Sequence, residues 1–93
     1  KVQQSAAVQE VMGLEPLADK WRAFGWNVRE LDGHDMAQIV EALDAPPQSG
    51  KPTVLIAHTV KGKGVSFTED TYLWHNNTVT DEVYHRAMAE LNA

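Results

Sequence analysis

Between residues 14 and 24 the apolar positions Leu14, Leu17, Ala18, Trp21 and Phe24 recur at the spacing of a helix with one buried stripe. Pro16 suits its first turn and Gly25 its stop. Trp26 to Leu31 then alternates apolar and polar residues, which predicts a strand. Asp32-Gly33-His34-Asp35 reads as a turn, with Gly33 free to take a positive φ and Asp35 placed to cap the next helix with Gln38 three residues on. Met36, Ile39, Val40 and Leu43 form that helix's expected buried stripe, and Pro46, Pro47, Ser49 and Gly50 end it. A second strand is expected from Thr53 to Thr59, with a continuous apolar centre of the kind found where both sheet faces are covered. After a lysine loop and a Trp74-His75-Asn76-Asn77 segment, Thr80 caps a last helix whose stripe is Tyr84, Ala87, Met88 and Leu91. Residues 1–13 are small and polar with weak periodicity, and read as a loop or a frayed helix.

Strands alternating with helices at this spacing imply βαβ units and a parallel sheet, so the fold class is α/β. Two strands do not make such a sheet. Further strands are expected from chain outside these residues, upstream of Lys1, and residues 1–93 read as the C-terminal portion of a larger domain. A chain of 93 residues, 43% hydrophobic and without cysteine, would otherwise be a marginal domain with no disulfide to help it.

The formal net charge of −5 argues against a nucleic-acid partner, which calls for a basic face. No apolar run long enough to span a membrane appears, and a cytoplasmic protein is expected. No HExxH motif, cysteine pair or carboxylate cluster with metal spacing is present.

Against that acidic background the loop Thr59-Val60-Lys61-Gly62-Lys63-Gly64 stands out, because it follows the carboxyl end of a strand, where open parallel sheets bind ligands. Its glycines allow backbone amides to approach an anion, and a lysine ammonium is a mobile point charge suited to phosphate. The residues alone leave a second reading open, a solvated turn with two surface lysines. His75 in its loop is open in the same way, between a proton carrier or hydrogen-bond donor and an ordinary exposed histidine. His34, His58 and His85 are assigned structural or surface roles, and Glu69 and Asp70 are expected to face water.

The ordered set Trp21-Arg22-Ala23-Phe24-Gly25-Trp26, Asp32-Gly33-His34-Asp35, the run from Lys51 to Phe67 and Trp74-His75 resembles transketolase, in the later part of its thiamine-diphosphate-binding domain. The resemblance covers nearly the whole chain and also extends to the N-terminal subunit of a split transketolase. It implies a three-layer parallel-sheet fold and transfer of a two-carbon ketol unit between sugar or sugar-phosphate substrates, with thiamine diphosphate as electron sink and Mg2+ or another divalent cation. Carried over residue by residue, it implies that Lys61 contacts the cofactor near its diphosphate. It implies that His75 reaches both cofactor and substrate, and that the backbone carbonyl of Val2, in Lys1-Val2-Gln3-Gln4, is a metal ligand. Lys63 receives no such role.

The resemblance implies partners as well: the upstream part of the same domain, and a pyrimidine-binding domain or subunit on the other side of a dimer interface, which supplies the glutamate that activates the cofactor. The chain departs from the family in two ways. Asn76 and Asn77 follow Trp74-His75 where the family continues with glycine, and the family's Gly-Asp-Gly motif is absent. Deoxyxylulose-phosphate synthase has a related lysine loop and is the neighbouring alternative, with the Trp-His pair favouring transketolase. A non-catalytic α/β interaction module that keeps the sheet is the alternative from another class.

Overall fold

The computed structural model describes residues 2–3, 5–48 and 50–93. Lys1 and Gln4 of the opening stretch, and Ser49 of the expected helix stop, lie outside the described residues. The chain divides into two units, Leu14–Thr59 on the one hand and Lys1–Gly13 with Val60–Ala93 on the other.

The unit Leu14–Thr59 holds helix α2 (Leu17–Ala23), strand β3 (Asn27–Asp32), helix α3 (Met36–Asp44) and strand β4 (Thr53–His58). The two strands pair in parallel, in register from Asn27 opposite Thr53 to Asp32 opposite His58, and the Gly33 amide extends the ladder by donating to the His58 carbonyl at 2.8 Å. The mixed α/β class and the parallel pairing are thus as the alternation of elements predicts.

Local chemistry sets the element ends. At α2 the Gly25 amide donates to the Arg22 carbonyl (2.9 Å) and the Trp26 amide to the Trp21 carbonyl (3.2 Å), with Gly25 at φ +84°. This is the left-handed glycine stop in which the residue after the glycine also packs back on the helix. Trp26 does so edge-on against Trp21, with ring centroids 4.9 Å apart. At α3 the Asp35 carboxylate accepts from the amides of Ala37 and Gln38, as a cap does. Gln38 answers with its side chain, donating to Asp35 and accepting from the Asp32 amide, so it ties the cap to the end of β3.

The other end of α3 is held from β3. The Arg29 guanidinium donates to the carbonyl of Ala42 (3.1 Å), in the last turn that a helix leaves without intrahelical partners, and to those of Ala45 (3.3 Å) and Pro46 (2.7 Å) just past it. Gly33 does not take the positive φ expected of it. Its requirement is space: a Cβ there would stand 2.5 Å from Thr59 Cγ2 and 3.1 Å from Ala57 Cβ.

In the opening stretch, expected as a loop or a frayed helix, the structure has a short helix and, beyond that expectation, two short strands. Strands β1 (Val2–Gln3) and β2 (Ala6–Ala7) pair antiparallel, and the chain continues into helix α1 (Val8–Met12). In the same unit, residues 60–71 form successive turns, Tyr72–Trp74 a single 3-10 turn, and Asp81–Leu91 helix α4. Thr80 caps α4 through its hydroxyl, which accepts from the Val83 amide.

The stripes are where the pattern and the structure part. Among the described residues only Leu31 is a buried hydrophobic, at 8% exposure, while Met36 and Leu43 of α3 are each 68% exposed and Phe24 is 81% exposed. On α4 it is Val83, Ala87 and Met88 that are half-buried, and Tyr84 and Leu91 are exposed. Strand β4 is only half-buried over Thr53–Ile56, short of the two covered faces that its apolar run predicts. Helical period identifies the face built for a neighbour without saying which neighbour covers it. Among the described residues no helix is long and apolar enough to cross a membrane.

Candidate functional site

The lysine loop is closed on itself by hydrogen bonds. The Asp70 amide donates to the Lys61 carbonyl at 2.9 Å and so joins its two ends. Thr68 fills the interior: its hydroxyl lies 2.9 Å from the carbonyls of both Gly62 and Val65. Gly62 sits at φ +74° and Gly64 at φ +100°, in the region that glycine enters without steric cost. A Cβ on Gly62 would fall 2.3 Å from the Thr68 carbonyl oxygen, so this position excludes a side chain on two independent grounds. Gly62→Ala is expected to open the loop and to cost more than the roughly 1–3 kcal/mol of a strained backbone alone. Amide hydrogen exchange at Asp70 and Thr68 reads this directly; unchanged protection would show that the loop tolerates the methyl group.

The two lysines, alike in sequence, differ in surroundings. Lys63 Nζ lies 3.9 Å from Glu69 Oε1, and the same carboxylate oxygen accepts from the Gly64 amide at 3.0 Å. Glu69 therefore does more than face water. It occupies one of the glycine amides that the sequence offers to an outside anion, and it offsets the charge of Lys63. The ion pair is half-exposed on both sides and contributes little stability. Lys61 is half-buried, and its ammonium makes no hydrogen bond or ion pair with any described residue. Among the described residues it is the loop's uncompensated cation.

Helix α4 grips the end of the same loop. The Ser66 amide donates to one oxygen of Glu90 and the Ser66 hydroxyl to the other at 2.7 Å. Arg86 lies over the Phe67 ring, 4.4 Å from its centroid. The Ser66 amide, followed by the Ser66 hydroxyl and the nearby Arg86, holds the Glu90 carboxyl below its ordinary value. Since the folded-state value lies below the unfolded one, the stabilisation is present above the unfolded value and is lost as pH falls through the folded one. The Ser66–Glu90 contact is intact at neutral pH.

His75 ends the 3-10 turn. Its amide donates to the Tyr72 carbonyl at 2.9 Å, and Thr71 caps the turn from the other side. Trp74, next to it, packs edge-on against Phe67 at 5.7 Å between centroids, so the backbone of His75 is tied to the ring that Arg86 covers. The His75 side chain itself is exposed and has no hydrogen-bond partner among the described residues. Val2 is half-buried in β1, opposite Ala7. Val2, Lys61 and His75 belong to one unit, and no hydrogen bond or ion pair among the described residues joins them.

His58 Nε2 lies 3.1 Å from Glu30 Oε1 across the parallel strands, and His85 stacks edge-on with Tyr84. The His34 amide closes a turn on the Asp32 carboxylate. A cavity of about 380 Å³ lies between β3 and α3, lined by Arg29, Glu30, Leu31 and Glu41 among others, and holds none of the sequence-predicted site residues. Among the described residues no group of three or more His, Cys, Asp or Glu side chains is arranged to hold a metal. The sequence reading missed Ser66 and Glu90, because a serine and an acid 24 residues apart carry no local pattern.

The thiamine diphosphate binding domain of transketolase matches residues 6–91. Over 92 residues the chain is 47% identical to the 6-deoxy-6-sulfo-D-fructose transketolase subunit of a Clostridium species, covering 98% of this chain and 34% of that protein. It is 41% identical over 93 residues to an apulose-4-phosphate transketolase subunit of Phocaeicola vulgatus, covering 99% of this chain and 33% of that protein. The corresponding subunit of Actinobacillus succinogenes is 36% identical over 91 residues, covering 98% and 33%. The chain thus spans about a third of the length of these relatives, and it belongs to the transketolase thiamine diphosphate binding domain family.

Proposed function

We propose that these residues form the C-terminal portion of the thiamine-diphosphate-binding domain of a split transketolase, which transfers a two-carbon ketol unit between sugar or sugar-phosphate substrates. The observation that carries the reading is Lys61: a half-buried ammonium with no carboxylate partner among the described residues, between the left-handed Gly62 and the end of a parallel strand in a chain of this family. The relatives, each a transketolase subunit, favour transketolase over deoxyxylulose-phosphate synthase and over a non-catalytic module. They also support an assembly with a separate partner, which in this reading is the pyrimidine-binding domain or subunit. In the assembled enzyme the two strands described here join others in a three-layer parallel-sheet fold.

Thiamine diphosphate, when bound, supplies the electron sink for breaking the ketose carbon–carbon bond. Lys61 holds its diphosphate by a charge-assisted contact, and the closed loop fixes where the ammonium starts from. His75, its backbone fixed and its ring free of hydrogen-bond partners among the described residues, donates to the donor sugar's oxygens and moves a proton there. The carbonyl of Val2 would be one oxygen ligand for Mg2+, a hard cation suited to oxygen donors.

The test is cofactor titration of the assembled apo-enzyme. A charge-assisted contact to a phosphate is worth about 1.5–3 kcal/mol, so Lys61→Ala should weaken thiamine diphosphate binding about ten-fold or more. Lys63→Ala, whose charge Glu69 already offsets, should change it little. Equal losses at the two lysines would refute the assignment.

A further inference from the structure

Helix α4 reaches the lysine loop through three neighbouring points. Both Glu90 oxygens accept from Ser66, Arg86 covers Phe67, and Leu91 Cδ2 would lie 3.5 Å from a Cβ on Gly64. Of the three, the Glu90–Ser66 contact is the directional one, because two donors of one residue meet two oxygens of one carboxylate. From Ser66 the constraint passes inward by short steps. Val65 lies beside it and donates its amide to the Gly62 carbonyl at 3.3 Å, while its own carbonyl and that of Gly62 share the Thr68 hydroxyl. Lys61 precedes Gly62 and is held at the loop's base by Asp70.

From this geometry we propose that Glu90 is a positioning residue for the cofactor's diphosphate: by latching Ser66 to α4 it fixes the loop so that the Lys61 ammonium stands where the anion arrives. The inference rests on the cofactor role of Lys61 given above and adds a second residue that touches neither cofactor nor substrate. Glu90 carries a negative charge near an anion-binding loop, so a purely electrostatic view gives the opposite sign, with its removal improving anion binding. The latch predicts that removal weakens it.

The experiment is titration of the assembled apo-enzyme with thiamine diphosphate at fixed Mg2+, together with thermal unfolding of each apo variant. Glu90→Ala should raise the cofactor Kd about three- to ten-fold, part of what a charge-assisted hydrogen bond is worth, because the effect reaches the cofactor through the loop. Glu90→Gln, whose amide oxygen still accepts from Ser66, should recover most of that loss, and Glu82→Gln, an exposed acid on the same helix, should show none. In the Lys61→Ala background, Glu90→Ala should change Kd by less than about two-fold, since groups acting through one contact are not additive. A general loss of structure moves Kd equally in the two backgrounds, and that outcome overturns the latch. So does tighter cofactor binding by Glu90→Ala. If Lys61→Ala itself leaves the affinity unchanged, the cofactor reading of the loop falls and the latch falls with it, whereas a Lys61 effect without a Glu90 effect removes the latch alone.

Discussion

His75→Ala in the assembled enzyme is expected to lower turnover by about 10²- to 10⁴-fold at saturating thiamine diphosphate and Mg2+, the range for a positioned acid–base or hydrogen-bonding group. The backbone there is held by the Tyr72 carbonyl and by Trp74 against Phe67, while the imidazole makes no hydrogen bond or ion pair with the described residues. A side chain so fixed at its root and free at its tip is suited to a ligand that is absent between turnovers. If its contacts strengthen as charge develops on the donor's oxygens, the loss falls on kcat and kcat/KM and spares cofactor affinity. Lys61→Ala predicts the reverse pattern, with affinity lost and the rate restored by excess cofactor. Steady-state kinetics at saturating cofactor separate the two. Full recovery of turnover in His75→Ala would make the imidazole a second diphosphate contact and take it off the catalytic assignment.

What the sequence disclosed was local. Gly25 as a helix stop, Asp35 and Thr80 as caps and the α/β alternation all depend on residues within a few positions of one another, and each is present in the structure. The prediction at Gly33 failed because a glycine can be required by φ or by space, and only the strand beside it, with Thr59 and Ala57 in the way, decides which. Arg29 at the end of α3 and Glu90 at Ser66 join residues 13 to 24 positions apart, where no period or motif links them. The candidate site shows the same division. Lys61 and Lys63 are equivalent by composition, and Glu69 six residues beyond the second separates them by occupying Lys63 and the Gly64 amide.

The 93-residue chain by itself is expected not to fold cooperatively. Fixing one residue's backbone costs about 1–2 kcal/mol, and a fully buried Val, Leu or Ile returns about 1.5–3 kcal/mol. The described residues bury one hydrophobic side chain, Leu31, and leave Met36, Val40 and Leu43 of α3 and Tyr84 and Leu91 of α4 each more than half exposed. The side-chain caps on α3 and α4 contribute about 0.5–2 kcal/mol each, which is the scale of helix ends and not of a core. The parallel sheet has two strands, short of the three or more that give a sheet independent stability, and the helices beside β3 leave much of their apolar stripes exposed. Far-ultraviolet circular dichroism of the isolated chain should therefore lose signal gradually with temperature and urea, without a shared midpoint between probes. Placed in a chain of the relatives' full length, the same residues should unfold in one transition, because the apolar faces of α3 and α4 then have neighbours. A sharp, coincident transition in the isolated 93 residues would show that the exposed stripes are not faces awaiting cover, and would remove the packing argument for a larger domain.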